Sequence, residues 1–333
     1  MSSFISPKRA IIETPYKCNL KCQNCQVWKE DYRKLRGEEK DLLREVEVFS
    51  LHNQLVEAGI KRISYIGGEP FLEKNIFSRA ENAISLGLYV SAVTNGSVLE
   101  TSELEKISER GLFYALVFSI DGPQNIHDFI RGRKGAFAAA MHSLKTLQKI
   151  KSREKARFPK IYIYCTVSSL NYKYLEQVHR IALSVNANLL RFQLASCLSR
   201  EILDDTNRAL GFEAVKTHSY INSNRLGPEE INLAAKSLRR IRSLRFSMKI
   251  EAEPALEGLK NKSCRFIGKD MVITPSGKVL LCPMLNAWHA GDIRKNKIKE
   301  ILEKLADMAK KIKDMAESGK LPVCRECCVE KII

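Results

Sequence analysis

The sequence predicts an α/β fold, a curled parallel sheet covered by helices on its outer face, with a small hairpin-plus-helix unit at the C-terminus. Three observations carry this. Short β-branched runs alternate with longer amphipathic stretches from residue 9 to 193, as a succession of βα units requires. Glycine-bearing polar segments follow the strand ends, where a curled parallel sheet presents its ligand face. The alternation stops after residue 195, and a cysteine-bearing unit of different pattern begins at 264.

The first strand, Arg9 to Thr14, is an apolar run closed by Pro15. An amphipathic helix over 39–58 leads to the strand Arg62 to Ile66, which ends at the paired glycines Gly67 and Gly68. Helices over 75–86 and 101–110 bracket the alternating strand Tyr89 to Thr94, which ends at Asn95-Gly96. Ala115 to Ile120 stops at Asp121-Gly122-Pro123, and a long helix over 136–150 precedes the strand Ile161 to Val167. A helix over 172–183 and the strand Leu189 to Gln193 complete the series. Because helical stretches separate the strands, the sheet is expected to be parallel. Farther on, residues 228–242 read as a helix, with Pro228 in its first turn and Glu229-Glu230 at its positive end. Asp270 to Pro275 and Lys278 to Cys282 flank Ser276-Gly277 as a hairpin, and a basic helix over 296–316 leads to the last cysteines.

Three segments are expected: a core over 9–195, a connecting region over 196–263 that holds substrate-specific residues, and a terminal unit over 264–333. With 333 residues, 44% of them hydrophobic, the chain can build a large core, so its ten cysteines are not needed as staples. No secretory leader or apolar run of membrane-spanning length is present, which places the protein in the cytosol, where cysteines serve as metal ligands rather than disulfides. The net charge of +17 favours an anionic partner: a phosphorylated small molecule, an acidic peptide, an anionic membrane surface contacted peripherally or, less readily, a nucleic acid. Solubility alone explains part of this excess.

Cys18, Cys22 and Cys25 are spaced C-x3-C-x2-C directly after the first strand. A structural zinc site wants four ligands, and no histidine stands nearby to complete one. A redox C-x-x-C would use Cys22 and Cys25 and leave Cys18 unexplained. Three thiolates on one loop can instead bind three irons of a [4Fe-4S] cube and leave the fourth open.

This spacing, with Gly67-Gly68-Glu69-Pro70 after the second strand, resembles the radical S-adenosylmethionine superfamily. The resemblance implies a partial (β/α)6 TIM-like barrel. It also implies an open iron that chelates S-adenosylmethionine and an electron that cleaves the sulfonium to methionine and a 5′-deoxyadenosyl radical, which abstracts a substrate hydrogen. Gly67, Gly68, Glu69 and Pro70 would then meet the methionine amino group, Ser119 and Asp121 the ribose, Thr94 and Asn95 a further cofactor-side loop. Arg191 would meet the methionine carboxylate, or else pair with a carboxylate in the barrel wall. Asn24 departs from the family, which often has an aromatic there. The stretch His127-Asp128-x-x-Arg131-Gly132 is similar to a segment of members that carry a cysteine-rich extension, with Arg131 anchoring a loop or an anionic substrate.

Cys264, Cys282, Cys324 and Cys327 offer four further thiolates, which can close a second [4Fe-4S] cluster or hold zinc. This part resembles the shortened SPASM, or twitch, extension, which implies one auxiliary cluster acting as electron acceptor or relay. Cys328 is the rival for the fourth ligand. A reductant such as flavodoxin or ferredoxin is implied as partner, with a peptide or peptide-like substrate, or alternatively an anionic small molecule or lipid headgroup. Candidate acid or base residues are Cys197, Asp204, Tyr220, Glu251 and Glu253, all in the connecting region. An iron–sulfur electron-transfer or nucleic-acid-binding protein is the non-enzymatic alternative, and it leaves the Gly-Gly-Glu-Pro loop without a purpose.

Overall fold

The structure, a computed structural model of the chain, describes residues 7–29, 34, 41–195, 198–216, 224–244, 246–257, 264 and 269–327. Strand β1 (Arg9–Glu13) is followed by α1 (Glu45–Glu57), β2 (Arg62–Ile66), α2 (Ile76–Ser85), β3 (Tyr89–Thr94), α3 (Thr101–Glu109) and β4 (Ala115–Ser119). Next come α4 (Gln124–Arg131), α5 (Ala136–Glu154), β5 (Lys160–Val167), α6 (Leu175–Ser184) and β6 (Leu189–Leu194). The connecting region supplies α7 (Arg200–Leu210), α8 (Pro228–Ser243) and β7 (Lys249–Ala252). Strands β8 (Asp270–Ile273), β9 (Lys278–Leu280) and β10 (His289–Asp292), then α9 (Ile298–Glu317) and α10 (Pro322–Glu326), complete the described chain.

All ten strands join one sheet in the order β10-β9-β8-β1-β2-β3-β4-β5-β6-β7. The first six match the sequence expectation to within a residue or so at each end. Two features differ. The βα succession continues past residue 195, because β7 adds a parallel strand to β6. The hairpin does not stand apart, because β8 runs parallel to β1 and extends the same sheet.

Alternation along the strands separates two faces. Phe118, Ile163, Cys165, Leu190 and Phe192 are wholly buried in the main hydrophobic core. Their neighbours in sequence point the other way and form a cross-strand row, Ser119 beside Tyr164, Tyr164 beside Arg191 and Arg191 beside Glu251. These four are only partly buried, so this face of the sheet is polar and reachable. Ile11, Val272 and Leu280 form a small apolar patch farther along it, against which Cys264 packs.

Candidate functional site

Where β1 ends, the cysteine loop and the loop after β2 are built against each other. Thr14 donates its backbone N–H and its hydroxyl to the Ile66 carbonyl at 2.7 and 3.0 Å. The Glu69 N–H donates to the Lys17 carbonyl at 2.8 Å. Only glycine fits between. Gly67 has φ of 138°, and a Cβ on Gly68 would lie 2.1 Å from the Lys17 oxygen.

Within the cysteine loop, the Cys25 N–H donates to the Cys22 carbonyl and Trp28 Nε1 donates to the same oxygen, at 3.2 and 3.0 Å. Burial pushes the Cys25 thiol up to about 12, with Cys22 and Cys18 adding to the effect. Burial also raises the thiols of Cys18 and Cys22. Three half-buried thiols within electrostatic reach of one another suit a multiply charged iron core, which would take the charge that their ionised forms repel. Among the described residues no trio of ligating side chains is already assembled around a metal-sized centre.

Glu69 is buried and tightly held. Its carboxylate accepts from Thr94 Oγ1 at 2.8 Å, from the Asn95 N–H at 2.7 Å and from the Phe71 N–H at 3.3 Å. Burial nevertheless moves its pKa up to about 7, because these donors only partly offset the lost hydration. Thr94 and Asn95 therefore act on Glu69 directly. Asn95 in turn donates to Asn19, and Asn19 donates to Ser97, which ties the cysteine loop to the end of β3. Asn19 did not stand out in the sequence, since its role depends on two loops meeting.

Asp121 follows β4. One carboxylate oxygen accepts the Thr166 N–H at 3.0 Å, and the other pairs with Arg131 at 2.7 Å. The guanidinium of Arg131 also reaches Cys22 Sγ, at 3.9 Å. His127 Nδ1 accepts the Asp121 N–H at 3.2 Å, and burial lowers the pKa of that ring to about 2. Asn24, which replaces the expected aromatic, donates to Ser168 and accepts from Asn224, so a polar bridge joins the cysteine loop to the connecting region.

Arg191 is committed to the barrel wall, where Nε and Nη2 both donate to Glu251 at 2.9 and 2.5 Å. Its guanidinium also lies over the Tyr164 ring, 5.3 Å from the centroid. Glu253 accepts the Leu194 N–H at 2.7 Å. Arg191, Glu251 and Glu253 line a cavity of about 390 Å³ together with Arg9, Arg242 and Asp270. Asp204 sits exposed on α7. Cys197 and Tyr220 lie outside the described residues, as does Cys328.

The second cysteine group assembles from distant parts of the chain. Burial pushes the Cys282 thiol up to about 12, and Cys264 and Cys324 add to the rise. Burial raises Cys324 as well, followed by the effects of Cys327 and Cys264. The four thiols thus share one electrostatic neighbourhood. Helix α10 places Cys324 there, fixed to α7 where the Val323 N–H donates to Thr206 Oγ1 at 3.0 Å.

Comparison with known proteins agrees with this geometry. The Radical SAM superfamily profile matches residues 12–183, and the SPASM profile, an iron-sulfur cluster-binding domain, matches 264–328. An AdoMet-dependent heme synthase of Methanosarcina barkeri is 26% identical over 96% of this chain and 88% of its own length. The Fe-coproporphyrin III synthase of that organism is 34% identical, but the match spans 40% of this chain and only 32% of that protein. Streptococcus suis SuiB, solved with its precursor peptide SuiA, superposes with a TM-score of 0.70 at 14% identity, covering 98% of this chain and 71% of SuiB. The AdoMet-bound structure of anSMEcpe gives 0.66 at 19% identity, covering 97% and 93%. At these identities the structural likeness bears on fold alone. The profile match covers more than half of the chain and includes the cysteine loop and the Gly-Gly-Glu-Pro turn, and the chain belongs to the radical SAM superfamily.

Proposed function

We propose that this radical SAM enzyme oxidises a carboxylate-bearing small molecule, a cofactor precursor of the porphyrin type, with the C-terminal cluster taking up an electron. The observation that carries the reading is the near full-length match to a heme synthase.

Cys18, Cys22 and Cys25 would hold one [4Fe-4S] cluster, and Cys264, Cys282, Cys324 and Cys327 the other. Bound there, a reduced cluster and S-adenosylmethionine supply hydrogen-abstracting chemistry. The chain does the rest. Gly67 and Gly68 let their loop close against Thr14 and Lys17 of the cysteine loop, and Glu69, oriented by Thr94 and Asn95, would accept a hydrogen bond from the methionine ammonium. Ser119 and Asp121 stand on the ribose side. Glu251 is one candidate base, although Lys249 and Arg191 outweigh burial and lower its pKa, which weakens it as a proton acceptor while they hold it. Glu253 is the alternative base. Four thiolates leave no open iron in the second cluster, which suits electron acceptance from the substrate toward a flavodoxin- or ferredoxin-like carrier.

Peptide modification is the second reading. It is favoured by the 29% identity over 143 residues to the sporulation killing factor maturation protein SkfB of Bacillus subtilis. Deuterium-labelled porphyrin precursors and labelled peptide pools separate the two. Label from the precursors should appear in 5′-deoxyadenosine, whereas label arriving only from peptides would overturn the first reading in favour of the second.

A further inference from the structure

We propose that Arg131 is a positioning residue for the first cluster: its guanidinium, steadied by Asp121, lies against the Cys22 sulfur and raises the cluster's reduction potential. This rests on iron occupying the first cysteine loop. Arg131 is the last residue of α4, and two backbone contacts fix that helix end to the loop. The Gln23 N–H donates to the Ile130 carbonyl at 2.7 Å. Gly132, at φ of 66°, lies so close to the Lys21 carbonyl that a Cβ would fall 2.6 Å from its oxygen. The arginine between them has little freedom to move.

Its three nitrogens are used unequally. Nη2 pairs with Asp121, whose other oxygen is fixed to β5 through the Thr166 N–H. Nη1 lies 3.9 Å from Cys22 Sγ. Nε is buried and has no hydrogen-bond partner among the described residues, a donor that a cluster sulfur would satisfy. The neighbouring His127 remains neutral, because burial and then Arg131 itself disfavour its charge, so it adds no second cation. Asp128 accepts the Gly135 and Phe137 N–H groups at 2.7 and 2.8 Å and anchors the start of α5. The His-Asp-x-x-Arg-Gly stretch thereby has one physical purpose, which is to hold a guanidinium at the cluster. A cation and a hydrogen bond at a ligating sulfur both stabilise the more negative, reduced cluster.

The test is a redox titration of anaerobically reconstituted holoprotein, following the electron paramagnetic resonance signal that changes on adding S-adenosylmethionine. In Arg131→Gln with wild-type iron content, the potential should shift negative. The reduced-to-oxidised ratio at fixed potential should fall roughly tenfold, about 59 mV for one electron. Arg131→Lys keeps the charge without the fork and should recover part of the shift. Unchanged potential and signal in an iron-replete Arg131→Gln protein would overturn the proposal. So would loss of iron in that variant while Arg131→Lys keeps the wild-type potential, since the arginine would then be merely structural. Wild-type protein that binds no iron through Cys18, Cys22 and Cys25 would instead overturn the functional reading on which the inference depends.

Discussion

Glu69 is a buried carboxylate whose three donors do not fully replace water, so it holds a proton up to about pH 7 when no cation faces it. Its folded pKa lies above the unfolded one, so its contribution to stability is full below about pH 4.5 and is lost as pH rises through about 7. An arriving ammonium reverses the preference and favours the ionised form. Affinity for S-adenosylmethionine should therefore increase as pH rises from 6 to 8, with proton release at the lower end, in calorimetry run in buffers of different ionisation enthalpy. Glu69→Gln should bind more weakly and lose this pH dependence; a variant that kept it would refute the assignment. Gly68→Ala drives a Cβ into the Lys17 carbonyl and should cost about 1–3 kcal/mol together with cofactor affinity, read by thermal denaturation and titration. Glu69 and its two glycines were legible because a tight turn beside a cysteine loop has a distinct composition. The Arg131 contact with Cys22 was not, because 109 residues of chain separate them and only the packing of α4 brings them together.

Among the elements, the first four strands were readable because each apolar run ends close to a breaker, at Pro15, Gly67, Asn95 and Gly122, and β5 and β6 because they alternate with amphipathic stretches. Strand β7 escaped notice since its four residues, Lys249–Ala252, are too short a run of mixed charged and apolar side chains to show a period. Helix α4 was missed because Gln124–Arg131 is short and only His127 and Ile130 are buried. The hairpin was recognised, but its parallel pairing with β1 was not, since periodicity says nothing about partners. What fixes this part of the sheet to α1 is Arg294, which donates to the Asp41, Leu42 and Ser276 carbonyls and to Glu47. Glu47 responds as expected, its pKa lowered to about 2 chiefly by the Arg294 hydrogen bond. Arg294→Ala should destabilise the protein by about 1–2 kcal/mol and leave the absorbance of the first cluster intact. An unchanged melting temperature would mean that the clamp is dispensable.

Across the whole molecule, one sheet brings two groups of cysteines and a polar inner face together. The described residues also carry exposed cations at the strand starts, Lys8, Lys61, Arg62, Lys249 and Lys269, opposite the strand ends that hold the cofactor loops. Leu244 and Phe246, 52% and 47% exposed, lie at the same end between α8 and β7. That combination predicts binding to vesicles rich in anionic lipid, falling as salt is raised, in a sedimentation assay; equal binding to neutral vesicles would contradict it. Reconstituted protein should contain about eight irons per chain, against four with one zinc if the second group holds zinc. The sharpest measurement is 5′-deoxyadenosine formation by reduced, iron-replete protein given S-adenosylmethionine under anaerobic conditions. The account predicts cleavage that disappears when Cys18, Cys22 or Cys25 is replaced by alanine. No cleavage by protein with both clusters intact would contradict it.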